Sequence, residues 1–256
     1  MTVTSLIDSH CHLDFESFDN DREQVIQRAK NNHITDIVIP GTEKIYWERI
    51  NKLCANHKQL HPCYGLHPYW VGNHKKQDIK KLNEYIEANT PVAVGECGLD
   101  FRAQQVNKKT QLFFFEAQLD IASNQQLPIV IHSVNATETV IASIKKFKNI
   151  RGMMHSYSGS LEQAKQLIDL GFYISVGGSI TYENAKKIKS VTTNIPLTSM
   201  IIETDSPDQA DVLNKGKRNE PAYIINTLAA ISSLRNTEQT VVAKQTTTNA
   251  KKIFNI

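Results

Sequence analysis

Short apolar runs bounded by Gly, Pro, Asn or Asp recur along the chain: Ser5–Asp8, Ile34–Ile39, Pro62–Leu66, Val92–Gly95, Pro128–Ile131, Gly152–Met154, Phe172–Val176 and Met200–Glu203. Most are nearly continuous in Val, Ile and Leu rather than alternating, the pattern of strands covered on both faces. Between them lie stretches with helical spacing: Asp21–Asn31, Tyr46–His57, Asp78–Ala88, Lys108–Gln125, Thr137–Phe147, Leu161–Leu170, Glu183–Val191 and Ala222–Leu234. In the fourth, Leu112, Phe115, Leu119 and Ala122 make one apolar stripe suited to a sheet. Alternation of strand and helix predicts a parallel sheet with right-handed crossovers. Eight such units of about 30 residues favour a closed (β/α)₈ TIM barrel, an α/β fold, as a single domain over 1–256. The seventh unit is the weakest, with a short helix and an interrupting Ile195–Pro196.

Composition narrows the picture. The 256 residues are 40% hydrophobic and 21% charged, which excludes a disordered chain or a coiled coil. Formal charge is 29 − 26 = +3, too mild for a nucleic-acid-coating protein but compatible with local basic patches. No apolar run is long enough for a membrane span, and the N-terminus shows no leader pattern. The expectation is a cytoplasmic enzyme that engages no membrane and needs no protein partner, a monomer. Cys11, Cys54, Cys63 and Cys97 form no C-x-x-C pair and read as buried free thiols. No Gly-x-Gly-x-x-Gly follows the first run, which removes the usual dinucleotide signal.

Barrel enzymes place their chemistry at the C-terminal strand ends. There this chain has His10 and His12, His67, Glu96, His132, His155 and Asp205, after the first, third, fourth, fifth, sixth and eighth runs. Residues i and i+2 of an extended segment share a face, so His10 and His12 converge while Cys11 points away. Four histidines with two carboxylates suit two divalent ions, with Glu96 as the bridge because it lies mid-ring. His10, His12, Glu96 and Asp205 are assigned to one ion; Glu96, His132 and His155 to the other. Asp205 and Glu96 are the catalytic candidates, Asp205 as general base. The ions are Zn²⁺, Mg²⁺ or Mn²⁺. His33, His57 and His74 read as surface residues, and His61 as a residue of the opposite barrel face.

DSHCHLD (Asp8–Asp14), GLHP (Gly65–Pro68), GECGLD (Gly95–Asp100), PIVIHS (Pro128–Ser133), HSYSGS (His155–Ser160), VGGSITY (Val176–Tyr182), ETDSP (Glu203–Pro207) and RNEP (Arg218–Pro221) stand in order. The ordered set, over nearly the whole chain, resembles the TatD family of metal-dependent deoxyribonucleases, and HSYSGS with VGGSITY resembles its YjjV-like branch. That resemblance implies a barrel hydrolase with metals on the positions matching His10, His12, Glu96, His132, His155 and Asp205. It departs where the family often carries Arg, an acidic residue and Ala after the fifth-strand His: here stand Val134, Asn135 and Ala136. The change bears on substrate choice, not on metal binding. Cys97 replaces a more usual aliphatic on a face pointing away from the metals.

The resemblance makes hydrolysis of DNA phosphodiester bonds, on single strands or ends, the expected reaction, with attack by metal-activated water. Alternatives are a related barrel hydrolase acting on a small amide, lactone or phosphoester, or a weakly active nucleic-acid-binding relative. For substrate binding the candidates are His67, Lys217 and Arg218, with Lys215 in the same long loop (Ser206–Glu220) and backbone N–H groups near Ser158–Ser160. Phe101, Tyr69, Trp70 and Tyr157 are candidates for stacking unpaired bases. The lysines at 145, 146 and 148, and at 186, 187 and 189, read as solvated helix faces.

Overall fold

A computed structural model describes residues 5–102 and 107–256; Met1–Thr4, part of the leader reading above, lie outside the described residues. Eight strands form one sheet in sequence order, and every ladder between consecutive strands is parallel. They are β1 (Leu6–Asp8), β2 (Ile34–Pro40), β3 (Leu60–Tyr64), β4 (Ala93–Asp100), β5 (Ile129–Val134), β6 (Gly152–Met154), β7 (Phe172–Val176) and β8 (Met200–Ile202). Between β8 and β1 the ring closes without a ladder among the described residues. Ser9 N donates to Ile202 O at 3.1 Å, Asp205 N to His10 O at 2.9 Å and His12 N to Ser206 O at 2.8 Å. The result is a TIM barrel.

The helices are α1 (Arg22–Asn31), α2 (Trp47–Asn56), α3 (Gln77–Asn89), α4 (Lys108–Asn124), α5 (Thr137–Ile144), α6 (Leu161–Asp169), α7 (Lys186–Asn194), α8 (Ile224–Arg235) and α9 (Gln239–Phe254). Their apolar stripes and the outer strand faces make the larger core; in α4, Phe115, Leu119 and Ala122 are buried against the sheet. A second, smaller core fills the barrel interior, where Ile7, Val38, Val130, Met153 and Ile201 meet Ile253 and Phe254. Those last two belong to α9, which the apolar pattern did not predict. Its buried stripe is written largely in small and polar residues (Val242, Thr246, Ala250, Ile253), too weak in hydrophobicity to stand out. By packing against β1 and β8, α9 forms the floor opposite the candidate site.

Two strand boundaries differ from expectation in ways that matter for the site. β3 starts at Leu60, two residues early, so His61 is inside the strand, paired with Asp36 at 2.8 Å. β4 runs on to Asp100 instead of stopping at Gly95. Its register against β5 shifts between Val94 and Cys97, an irregularity of the kind that re-aims a side chain beside a functional site. Beyond the shift, Gly98 pairs with His132. Gly98 has φ of 136°, and a Cβ there would lie 2.0 Å from His132 O, so only glycine lets the two strands meet at this point.

Candidate metal centre

Glu96 is 2% exposed and stands at the middle of the cluster. Its Oε2 lies 3.2 Å from His10 Nε2 and 3.4 Å from His12 Nε2. Its Oε1 lies 3.2 Å from His132 Nδ1, 3.3 Å from His155 Nε2 and 3.0 Å from His67 Nε2. Asp205 joins the first set, with Oδ1 3.4 Å from His10 Nε2 and 3.7 Å from His12 Nε2. The structure therefore brings all six expected metal-site residues together, and His67 with them. His10 and His12 do converge: their Nε2 atoms are 3.2 Å apart, and the residue between them, Cys11, is fully buried on the other side in the outer core.

This donor set fits a divalent ion better than a hydrogen-bonded cluster. Five imidazoles crowd one carboxylate, which offers about four lone-pair positions. Two ring nitrogens facing each other at 3.2 Å share at most one proton. His10 Nδ1 and His12 Nδ1 are buried without a hydrogen-bond partner, among the described residues. Donor atoms of His10, His12 and Glu96 lie within 4.8 Å of one another, as do those of His67, Glu96 and His132. Imidazole nitrogens and carboxylate oxygens in that geometry are a metal cradle.

Two buried carboxylates stand beside the outer nitrogens of the ligand rings, one as a hydrogen-bond acceptor and one as a charge contact. Asp100 Oδ2 accepts from His132 Nε2 at 3.1 Å, and Glu203 Oε1 lies 3.2 Å from His155 Nδ1. Glu203 is itself fixed by Ser175 Oγ, which donates to its Oε2 at 2.6 Å. Such carboxylate–histidine pairs orient a ring and select which nitrogen faces the metal. The strand-end reading did not single out either acid. A signal was present: Glu96, Gly98 and Asp100 share one face of β4, and Glu203 stands two residues before Asp205. Asp8, also missed, accepts from Thr204 N at 3.0 Å and His10 N at 3.2 Å, tying the β1 end to the β8 end.

Electrostatics follow from this crowding. Burial alone would raise the Glu96 carboxyl, but the imidazoles of His67, His155 and His10 outweigh it and hold it well below the usual carboxylate range. Burial opposes protonation of His155, yet Glu96, Glu203 and Asp205 push it up to about 10. His67 goes the other way, down to about 4, through burial and the neighbouring rings of His132 and His12. Tyr69 N donates to His67 Nδ1 at 3.0 Å, so the Nε2 of His67 carries the proton and donates to Glu96.

Above the cluster opens a cavity of about 550 Å³ lined in part by Phe15, Tyr69, Trp70, Arg102, Val134 and Gln209. Other expected substrate residues stand elsewhere. Arg218 donates to both Asp21 oxygens, at 2.8 and 2.7 Å, and packs over the Phe18 ring. Lys217 is exposed beside it and lines two neighbouring grooves rather than this cavity; Lys215 is exposed as well. Tyr157 is buried with its hydroxyl donating to Ser160 O at 2.7 Å, which removes it as a stacking platform. The α6 N-terminus is closed by its own capping box of Ser160 and Gln163. Phe101 is half-buried under Lys108. His74, expected on the surface, is half-buried, and its Nε2 bonds to His67 O at 2.9 Å. His33 is exposed, as expected.

A TIM barrel with a buried His/Glu cradle at the C-terminal mouth defines a metal-dependent hydrolase. The sequence profile described as "TatD related DNase" matches residues 7–255, and the chain belongs to the TatD family. It is 35% identical over 253 residues to YabD of Bacillus subtilis, covering 98% of this chain and 99% of that one. To YjjV of Escherichia coli K12 it is 33% identical over 257 residues, covering 99% of both. Both relatives are described as uncharacterized metal-dependent hydrolases. The crystal structure of YjjV superposes with a TM-score of 0.95 at 32% identity, covering 100% of both chains.

Proposed function

We propose that this protein is a two-metal phosphodiesterase that hydrolyses DNA, acting on single strands or ends. The observation that carries the reading is the division of Glu96: Oε2 faces His10 and His12, while Oε1 faces His132 and His155. One carboxylate serving two nitrogen sets could be shared between two ions, and paired ions would suit in-line displacement at phosphorus. His10, His12 and Asp205 would hold one ion with Oε2, and His132 and His155 the other with Oε1. When bound, divalent ions there supply a lower pKa for the attacking water and neutralise charge on the scissile group.

The chain's own residues do the rest. Asp205 is fixed by Gln209, which donates to its Oδ2. It opens onto the cavity and takes the proton that the attacking water gives up. His67 anchors Glu96 through its Nε2–H, and Asp100 and Glu203 keep the rings of His132 and His155 in place. Tyr69 and Trp70 wall one side of the cavity and offer ring faces to an unpaired base. The four unpaired cysteines fit a reducing, cytoplasmic setting. The deciding experiment is a panel of substrates with Zn²⁺, Mg²⁺ or Mn²⁺ added: single-stranded DNA, a phosphodiester dye and a lactone. Turnover of DNA and the dye supports the reading; turnover of the lactone alone refutes it.

A further inference from the structure

Metal ligation leaves open what recognises the rest of a phosphodiester. Among the described residues lining the cavity, Arg102 is the only Lys or Arg, whereas Glu96, Asp205 and Asp208 put carboxylates there. An anionic group entering this mouth meets one guanidinium and no ammonium. Arg102 is also built in. Its Nε donates to Asp100 Oδ1 at 2.9 Å and to Oδ2 at 3.0 Å, and Asp100 is fully buried. Nη2 donates to Asp100 as well, while Nη1 has no partner among the described residues. The guanidinium lies over the Tyr69 ring, 5.6 Å from its centroid, and the side chain is 46% exposed. It is thus aimed by a buried acid, braced on an aromatic face and still open to solvent.

We infer that Arg102 is the residue that binds a substrate phosphate next to the scissile one, with Tyr69 stacking the attached base. This rests on the phosphodiesterase reading above and names the specificity element of the same site. A guanidinium suits the role because its planar fork can give one edge to Asp100 and another to a phosphate. Tyr69, 48% exposed, presents a ring face beside that edge. Val134, at the end of β5, lines the same cavity, and its apolar side chain offers a phosphate no hydrogen bond. The phosphate contact is therefore made from the end of β4.

The test is steady-state hydrolysis of a short single-stranded oligonucleotide by metal-loaded protein, comparing wild type with R102Q and R102K. R102Q should raise KM roughly ten-fold or more and change kcat less than about three-fold, the size of one charge-assisted hydrogen bond. R102K should recover part of the loss, since an ammonium keeps the charge without the fork. Bound metal per chain should stay at the wild-type value in both. An unchanged KM in R102Q, while wild type cleaves the oligonucleotide, overturns the role of Arg102 and leaves the phosphodiesterase reading intact. Loss of bound metal and kcat together with an unchanged KM overturns it too, by showing that Arg102 acts only through Asp100 and His132. A wild-type protein that cleaves no phosphodiester overturns the underlying reading, and the inference with it.

Discussion

Asp100 accepts a hydrogen bond from His132 Nε2 at 3.1 Å, and this turns the other nitrogen of the ring, Nδ1, to within 3.2 Å of Glu96 Oε1. The pairing decides which nitrogen of His132 serves the centre. Replacing Asp100 by Asn keeps the shape of the side chain but removes the charge that fixes this orientation. D100N should bind divalent metal about 10- to 100-fold more weakly, with the fold retained. Chelator competition followed by circular dichroism checks both halves.

Asp205 faces the cavity from the β8 side and is the proton acceptor in the proposed reaction. D205N should lower kcat by about 10²- to 10⁴-fold, the range for a lost general base, while the melting curve of the ion-free protein stays close to wild type. Wild-type turnover in D205N would remove Asp205 from the mechanism.

The same imidazole nitrogens that face Glu96 and Asp205 must be bare to hold a metal, so uptake has to expel protons. Apparent metal affinity should therefore rise with pH from the ordinary histidine range up to about 10, where His155 gives up its proton. Calorimetric titrations in two buffers of different ionisation heat measure the proton count directly. A count of zero would mean that the rings are already deprotonated and would contradict the prediction.

Arg218 and Asp21 form a two-pronged ion pair between the long eighth loop and the start of α1. The guanidinium of Arg218 holds the Asp21 carboxyl below its ordinary value. A lowered folded-state pKa gives stability that is present above the unfolded value, near 4, and is lost as pH falls through the folded one. D21N should thus lower Tm at neutral pH, and the gap from wild type should close in strong acid. Both partners are about one-third exposed, so the effect is under about 1 kcal/mol, a shift of roughly 2–3 °C, and added salt should shrink it.

Much of the barrel and its ligands could be read from the chain because the signals are local. Apolar runs mark strands, and a polar residue just past each run marks the mouth, which is how His10, His12, His132, His155 and Asp205 stand out. Glu96 was found by the same rule although its strand runs on to Asp100, because the strand's apolar face passes to Cys97 and Leu99 after the register shift. What was hidden depends on partners far along the chain. Arg218 reads as a free loop cation until Asp21, 197 residues away, is seen to hold it. Asp100 and Glu203 look like ordinary acids until the rings they support are placed. Arg102 carries no motif; its meaning comes from being the one guanidinium among the lining residues.

The gap between β8 and β1 is where His10 and His12 stand on one side and Asp205 on the other, joined there by single backbone bonds instead of a ladder. An ion gripped from both sides would therefore act as a clasp on the ring itself. Loading the centre and keeping the barrel shut become one equilibrium, so heat resistance should climb with the logarithm of the free metal concentration once that exceeds the dissociation constant. Amide hydrogens at His12 and Asp205 should be the first to report it, exchanging more slowly as the clasp fills.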